Sequence, residues 1–376
     1  MKLHAVGKRF VAMLSGLLMV LVVCVTSVAC GSDKNTASGK ISATILGGSA
    51  NCAGKDHLTA EGSTAQQNAV AIFNQAWGVL CPGKNLSYNS TGSAAGRQQF
   101  IAGNVDFAGS DSPLPTEQID EAAQRCKGNP AWDLPLVFGP IALVYNLPQI
   151  NTLVVNGALL AKIFSGAITN WNDLAITALN PGLTLPNTRI TPIYRSDSSG
   201  STDNFQKYLT ASAPQLWTSG VGSEFQGGVG EGAQKSAGVV QAVKTIPGAI
   251  GYVEKGFAEQ AGLPFAAIDT GHGATPLTND TARKAIDSAA FLGQGNDLVL
   301  DLNAMYATKE PGAYPLVLVT YEIVCSKSYD SSTAAAVKSF LTVAAHNRQE
   351  ELTRAGYIAL PDRFTWRLLA AINAVQ

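Results

Sequence analysis

Short runs of glycine and hydroxyl residues recur where apolar strands are expected to lead into helices. There are four such junctions: Gly62-Ser63-Thr64-Ala65, Gly92-Ser93-Ala94, Ser110-Asp111-Ser112 and Ser198-Ser199-Gly200-Ser201-Thr202. A helix N-terminus has unpaired backbone N–H groups and a partial positive charge, so it can bind an oxyanion. One junction alone would indicate little, because serine and threonine are ordinary N-caps. Four of them after parallel strands should share one edge of a sheet, and they predict an anion site.

A cation lies just before the last of these junctions. Arg195 offers a permanently charged, planar set of N–H donors that suits an oxyanion. Asp197, two residues later, is well placed to hold the guanidinium in orientation. The alternative for Arg195 is an ordinary surface ion pair.

The hydrophobic pattern predicts the elements that position these loops. Short apolar segments alternate with helical patterns, which is typical of an α/β fold with parallel strands. The predicted strands are His57 to Ala60, Asn85 to Ser90, Val105 to Gly109, Pro135 to Asn146, Arg189 to Tyr194, Ala249 to Val253 and Leu316 to Val324. Helices are predicted around Val70 to Leu80, after Ser93 as far as Ile101, over Thr116–Arg125, Asn156 to Phe164, Thr169 to Leu179 and Ser201 to Leu209, with two more at the C-terminus.

The first thirty residues are typical of an export signal. A basic start (Lys2, Lys8, Arg9) precedes an apolar run that is too short for a membrane span and ends in small residues. Cys30 follows Ala29 as in a bacterial lipobox, although Ser27 stands where an aliphatic residue is usual. We therefore predict a signal peptide over residues 1–29, lipidation of Cys30, and a flexible tether over residues 30–50 that holds the protein at the outer face of the cell membrane.

The charge of the exported chain argues against nucleic acid as a partner. The chain has 26 basic and 27 acidic residues, and its first 29 residues contain three basic and no acidic ones. The remainder therefore has a net charge of −4, whereas a nucleic-acid binder needs a basic surface. A bound anion must be held by local donors, because no global positive field attracts it.

Four cysteines of the exported body predict two disulfides. Cys52, Cys81, Cys126 and Cys325 allow three pairings, and their spacing does not suit a zinc site. In a strand–helix unit the helix runs back, so its end lies near the start of the strand. This geometry favours Cys52 with Cys81, which leaves Cys126 for Cys325; no metal or cofactor is expected.

At this point the chain resembles a known family. The order of the four loops, together with Ile168-Thr169-Asn170-Trp171-Asn172-Asp173, Leu179-Asn180-Pro181-Gly182-Leu183, Arg195 to Ser201 and Pro247-Gly248-Ala249-Ile250-Gly251-Tyr252-Val253-Glu254, resembles the PstS family of phosphate-binding proteins. The resemblance runs from about Thr59 to Pro361, and the lipobox indicates the lipoprotein type of mycobacteria and related actinobacteria. It implies a non-catalytic receptor that delivers inorganic phosphate to the membrane permease of an ABC transporter, with a monomer expected.

The resemblance also implies an architecture and a ligand set. The fold would be the two-lobed (type II) periplasmic-binding-protein fold, with lobe 1 formed by residues 51–146 and 316–376, lobe 2 by residues 147–315, and hinge crossovers near Asn146 and Pro315. Phosphate would lie in the cleft between the lobes. The residues implied to bind it are Thr64, Ala65, Ser93, Asp111, Arg195, Ser199, Gly200 and Ser201. The family's Gly-x-Thr-Phe-Pro has Ala65 and Gln66 in its last two positions here, which keeps the backbone N–H but loses the ring.

Asp111 is the residue that would select among anions. A carboxylate beside a bound anion is repulsive unless it accepts a proton from it, and phosphate at neutral pH still carries at least one. Sulfate carries none, so a site that needs this hydrogen bond rejects it, by a factor on the order of 10⁴. The alternative is that Asp111 only caps a turn with Ser112 and Pro113.

Two other functions stay open from the sequence. A receptor for sulfate or molybdate would share the loops, and only Asp111 argues against it. An exported phosphatase or hydrolase would use a serine or aspartate of the loops as nucleophile. The chain has no Gly-x-Ser-x-Gly, Ser-x-x-Lys or Walker motif, and His57, His272 and His346 lie beside no candidate nucleophile. A phosphatase usually needs metal-ligand clusters of histidine and aspartate, which the sequence lacks.

Overall fold

The computed structural model describes residues 51–346 and 349–376. The predicted signal peptide, Cys30 and the tether lie outside the described residues. The strands are β1 His57–Gly62, β2 Asn85–Ser90, β3 Phe107–Ser110, β4 Ala131–Tyr145, β5 Val154–Val155, β6 Thr191–Arg195, β7 Glu231–Ala233, β8 Ala249–Glu254, β9 Ala267–Asp269, β10 Ala274–Thr275, β11 Ala290–Phe291, β12 Leu300–Asp301 and β13 Val317–Cys325.

The helices connect these strands and cover the sheet. They are α1 Gln67–Leu80, α2 Ser93–Ile101, α3 Thr116–Arg125, α4 Gly157–Phe164, α5 Leu174–Leu179, α6 Gly200–Ser212, α7 Lys235–Thr245, α8 Lys255–Ala261, α9 Asn279–Ile286, α10 Asn303–Tyr306, α11 Ser331–His346, α12 Gln349–Arg354 and α13 Asp362–Ala374. Within the described ranges, no helix combines the length and apolarity that crossing a membrane requires.

One mixed sheet of eight strands organises the fold, in the order β2-β1-β3-β13-β4-β8-β6-β7. Strands β2 and β3 pair in parallel with β1, and strands β7 and β8 pair in parallel with β6. The antiparallel pair β4–β13 joins the two parallel groups, and β13 is buried along its whole length. Because parallel strands end at the same edge, the loops after β1, β2 and β3 are brought together, as are those after β6 and β8.

Strand β4 is what links the two parallel groups. Its first part, as far as Pro140, pairs with β13, and its last part from Ile141 to Tyr145 pairs with β8. All described residues nevertheless belong to one compact unit. The division into lobes with the boundaries given above therefore stays a prediction.

Several predicted boundaries differ from the observed ones for local reasons. Strand β4 begins at Ala131, not at Pro135, because the register shifts opposite Pro135 and such an irregularity tolerates a residue without an N–H. The helix predicted over Thr169 to Leu179 begins only at Leu174, where Asp173 caps it by accepting from the amide of Ala175 at 2.8 Å. The C-terminal part contains three described helices, α11 to α13, where two were predicted.

The structure contains the two disulfides that the sequence favoured. Cys52 is joined to Cys81, with their Cα atoms 5.3 Å apart, and Cys126 to Cys325, with Cα atoms 5.4 Å apart. The first bridge ties the residues before β1 to the end of α1. The second ties the end of α3 to the end of β13, across a sequence separation of 199 residues.

Reduction of these bridges is expected to lower the stability of the protein much more than it lowers its affinity for phosphate. Each bridge restricts the unfolded chain, so its loss should cost about 2–4 kcal/mol of the free energy of unfolding. Neither bridge lies at the edge of the sheet where the loops of the predicted anion site converge. Thermal unfolding with and without reductant, followed by phosphate titration of the reduced protein, measures both effects. A reduced protein that keeps its melting temperature would contradict this prediction.

Candidate functional site

The predicted loops meet around one carboxylate, that of Asp111. Oδ1 of this residue accepts a hydrogen bond from Ser63 Oγ at 2.6 Å, and Oδ2 accepts one from Ser93 Oγ at 3.1 Å. The start of α6 reaches the same point, because Asn204 Nδ2 donates to the Asp111 carbonyl at 2.7 Å. The loops after β1, β2 and β3 and the loop that opens α6 therefore form a single cluster.

Asp111 is buried and yet an acceptor at neutral pH. Only 3% of the residue is exposed, and Thr320 on β13 donates a third side-chain hydrogen bond to it, at 2.7 Å. Burial raises the pKa of Asp111 from its ordinary 3.8 to about 6, and the negative charge of Glu254 contributes in the same direction. At pH 7 the carboxylate is therefore mostly ionised and can accept a proton that a ligand donates.

Arg195 is a buried cation held by Asp197, which lies beside the loop after β2, since a Cβ on Gly92 would come within 3.3 Å of Asp197 Oδ2. Arg195 ends strand β6 and is 3% exposed. Its Nε donates to Asp197 Oδ1 at 2.7 Å, and its Nη2 donates to Asp197 Oδ2. The backbone amide of Lys235 also donates to Asp197, at 2.9 Å. This is the predicted orienting contact, and it leaves Nη1 of the guanidinium for an anion.

The N-terminus of α6 brings amides to the same place. Ser199 is the N-cap residue, and its hydroxyl accepts from the amide of Thr202. The amides of Gly200 and Ser201 belong to the first turn, where N–H groups have no partner within the helix. Gly200 lies directly against Asp111: a Cβ at this position would come within 2.4 Å of the Asp111 Cβ. The first turn of α6 therefore faces the carboxylate at van der Waals distance.

The β1–α1 loop places Thr64 and Ala65 in the cluster with their donors engaged. Thr64 Oγ1 lies 2.9 Å from Ser236 Oγ at the start of α7, and both residues are buried. The amide of Ala65 donates to Ser63 Oγ at 3.0 Å. These groups would have to exchange a contact within the chain for one to a ligand.

Comparison with known proteins agrees with this arrangement. The model of the PBP superfamily domain matches residues 38–348. Phosphate-binding protein PstS3 of Mycobacterium bovis (strain BCG / Pasteur 1173P2) is 45% identical over 377 residues, with 100% of each chain covered. Phosphate-binding protein PstS2 of the same strain is 48% identical over 352 residues, which cover 93% of this chain and 94% of the relative.

This chain belongs to the PstS family.

Solved structures support the fold of the family. A high affinity periplasmic phosphate-binding protein (PfluDING) superposes with a TM-score of 0.67 at 22% identity, covering 84% of this chain and 93% of the other. A phosphate-binding protein from Stenotrophomonas maltophilia superposes with a TM-score of 0.64 at 20% identity, covering 84% and 94%. The predicted α/β periplasmic-binding-protein fold is therefore confirmed, as is the resemblance to the PstS family.

Two of the four junctions differ from what was predicted. In the first, α1 begins at Gln67 with Gln66 as its N-cap residue, so Thr64 and Ala65 lie in the turn before the helix. The sequence Ser110-Asp111-Ser112 does not open a helix, since α3 begins only at Thr116 with Pro115 as its N-cap residue. Pro113 and Pro115 explain the delay, because a residue before proline is disfavoured in the helical conformation. The third loop therefore brings a carboxylate to the cluster, and no helix amides.

Residues outside the predicted set also belong to the cluster. Ser201 Oγ donates to Glu254 Oε1 at the end of β8, and Glu254 is 2% exposed. Its Oε2 has no hydrogen-bond partner among the described residues. Glu254 ends one of the motifs that carry the resemblance to the family, so the sequence held a signal for it. Thr320 and Ser236 stand in no recognisable motif, and only the fold brings them to Asp111 and Thr64.

Proposed function

We propose that this protein is an extracytoplasmic receptor that binds inorganic phosphate with high affinity and delivers it to an ABC permease. The observation that carries the proposal is the buried carboxylate of Asp111, which accepts three hydroxyl hydrogen bonds among anion-binding groups. An anion can sit beside this carboxylate only if it brings a proton, and phosphate does so at neutral pH. The names of the relatives support the same ligand.

In the proposed complex, positive and polar donors hold the charged oxygens of phosphate while Asp111 accepts its proton. Arg195 donates through Nη1, and Asp197 keeps its guanidinium in place. The first turn of α6 adds two amides, and the loops after β1 and β2 add hydroxyl groups. The ligand set that we propose is Thr64, Ala65, Ser93, Asp111, Arg195, Ser199, Gly200 and Ser201.

Binding and release leave phosphate chemically unchanged, so we propose no catalytic step. The two lobes, with the boundaries predicted from the sequence, would close over the ligand and open at the permease. We further propose that Cys30 is lipidated, that residues 30–50 act as a tether, and that the protein works as a monomer. These statements rest on the sequence and on membership of the family.

Calorimetry on protein freed of bound phosphate tests the function. We expect tight binding of phosphate and at least a thousandfold weaker binding of sulfate and molybdate, because neither offers a proton to Asp111. A generic phosphomonoester incubated with the same protein should not be hydrolysed. Binding of sulfate as tight as that of phosphate would contradict the ligand, and turnover of the ester would contradict the receptor role.

A further inference from the structure

Two polar residues of α6 contact the loop after β3 without belonging to the proposed ligand set. Asp203 Oδ2 accepts a hydrogen bond from Ser112 Oγ. Asn204 Nδ2 donates to the Asp111 carbonyl at 2.7 Å and to the Gly200 carbonyl at 2.8 Å. Asp203 is 5% exposed and Asn204 is 1% exposed. Because a buried carboxylate or amide without partners is costly, these contacts contribute to holding α6 against Asp111.

Charges around Asp203 strengthen this contact. On its own helix, Lys207 Nζ donates to Asp203 Oδ2 at 2.6 Å. On the opposite side, the buried guanidinium of Arg97 is fixed by Ser110 Oγ at 2.8 Å and Gln118 Oε1 at 3.0 Å. Burial lowers the pKa of Arg97, and the negative charge of Asp203 acts in the opposite direction. Asp203 therefore pairs with one cation on its own helix and interacts electrostatically with a second, Arg97.

The start of α6 carries both proposed phosphate-binding residues and residues that contact the loop after β3. Gly200 and Ser201 present amides to the proposed ligand, and Asp203 and Asn204 follow directly and bond to Ser112 and Asp111. In the proposed complex phosphate lies beside both Asp111 and the first turn of α6, so its release would require these two to separate. If α6 moves away, the contacts of Asp203 and Asn204 break in the same motion.

We propose that Ser112, Asp203 and Asn204 form a clasp that sets how fast phosphate is released. The clasp residues are positioning residues, because they act through α6 and Asp111 and do not touch phosphate. The inference rests on the proposed function and deepens it. The proposal implies that phosphate affinity depends on contacts within the chain beside the ligand, and that these contacts affect dissociation more than association.

The test measures release and association separately. Asp203→Asn removes the charge of the clasp, and Ser112→Ala removes its donor from the other side. In a chase of bound radiolabelled phosphate with unlabelled phosphate, Asp203→Asn should release the label about tenfold faster, and Ser112→Ala several-fold faster. Association should stay within about twofold of the parent, and the phosphate-to-sulfate ratio should not change. In the double variant the two effects should not add, because Ser112 and Asp203 share one contact.

Asp280→Asn is the matched control, since Asp280 also lies in the first turn of a helix but is exposed. It should release phosphate at the parent rate. Melting curves without phosphate show whether each variant is folded. If Asp203→Asn does not fold, the release rate of Ser112→Ala tests the clasp. Parental release rates in folded variants, or an altered phosphate-to-sulfate ratio, would overturn the clasp alone. A parent protein that binds no phosphate would overturn the proposed function and the clasp with it.

Discussion

Asparagine in place of Asp111 should remove most of the discrimination between phosphate and sulfate. In the parent, the ionised carboxylate accepts the ligand's proton and repels an anion that has none. The asparagine amide is neutral, and its N–H₂ group can donate to a sulfate oxygen. Since a site that requires a ligand hydrogen bond discriminates by a factor on the order of 10⁴, the ratio should fall by several orders of magnitude. Three hydroxyl groups surround this side chain, so the variant keeps hydrogen-bond partners.

Calorimetry with both anions on parent and variant measures the ratio. Asp269→Asn serves as the control, because the half-buried Asp269 at the end of β9 accepts two amide hydrogen bonds through the same oxygen. The parent should also lose selectivity as the pH falls through about 6, the raised pKa of Asp111, because the protonated side chain no longer repels sulfate. Equal phosphate-to-sulfate ratios in the parent and in Asp111→Asn would show that this carboxylate does not distinguish an anion that carries a proton from one that does not.

A methyl group at position 200 should weaken phosphate binding with little effect on the stability of the ligand-free protein. A Cβ on Gly200 would lie 2.4 Å from the Asp111 Cβ and 2.6 Å from Ser93 Oγ. The first contact is with the base of a buried side chain, which cannot rotate away. Overpacking of this kind costs about 1–3 kcal/mol, or roughly 5- to 150-fold in affinity. If the lobes separate as proposed, the ligand-free protein escapes the clash by opening.

Solution scattering and calorimetry together test Gly200→Ala. The parent should become more compact when phosphate is added, and the variant should need far more phosphate for the same change. Gly262→Ala is a poor control because Gly262 has a positive φ of 65°, whereas a Cβ on Gly238 meets nothing closer than 3.6 Å. Gly238→Ala should therefore behave like the parent. Undiminished affinity in Gly200→Ala would mean that α6 does not approach Asp111 in the bound state.

The sequence predicted elements well where local signals decide them. Strand β2 and helix α3 have the predicted boundaries, because alternation, turn residues and a proline before the helix all point to the same residues. Strand β4 was predicted too short, since proline is locally a strand breaker and only the irregular pairing with β13 accommodates Pro135. Pairing across the sheet is not encoded in the segment itself.

Prediction of the site was limited in the same way, because contacts between residues far apart in sequence are not encoded in a short segment. Its loops and Asp111 were predictable because glycine, hydroxyl groups and charge stand together in short runs. The partners of those groups were not, because Ser236 is 172 residues from Thr64 and Thr320 is 209 residues from Asp111 in sequence. Asp203 and Asn204 also looked like ordinary polar helix positions. Which polar residue meets which is decided by the packing of α6 and α7 against the first three loops.

The Cys52–Cys81 bridge has a mechanical consequence for a protein held on a tether. Cys52 is the second described residue, and the bridge joins it to the end of α1, whose buried face packs in the core. A pull on the proposed tether would therefore be passed to a whole helix through a covalent bond. Without the bridge, the same force would act on the first hydrogen bonds of β1 and peel that strand from β2. The bridge would therefore transmit tension from the proposed tether to helix α1 and keep it away from the pairing of strand β1.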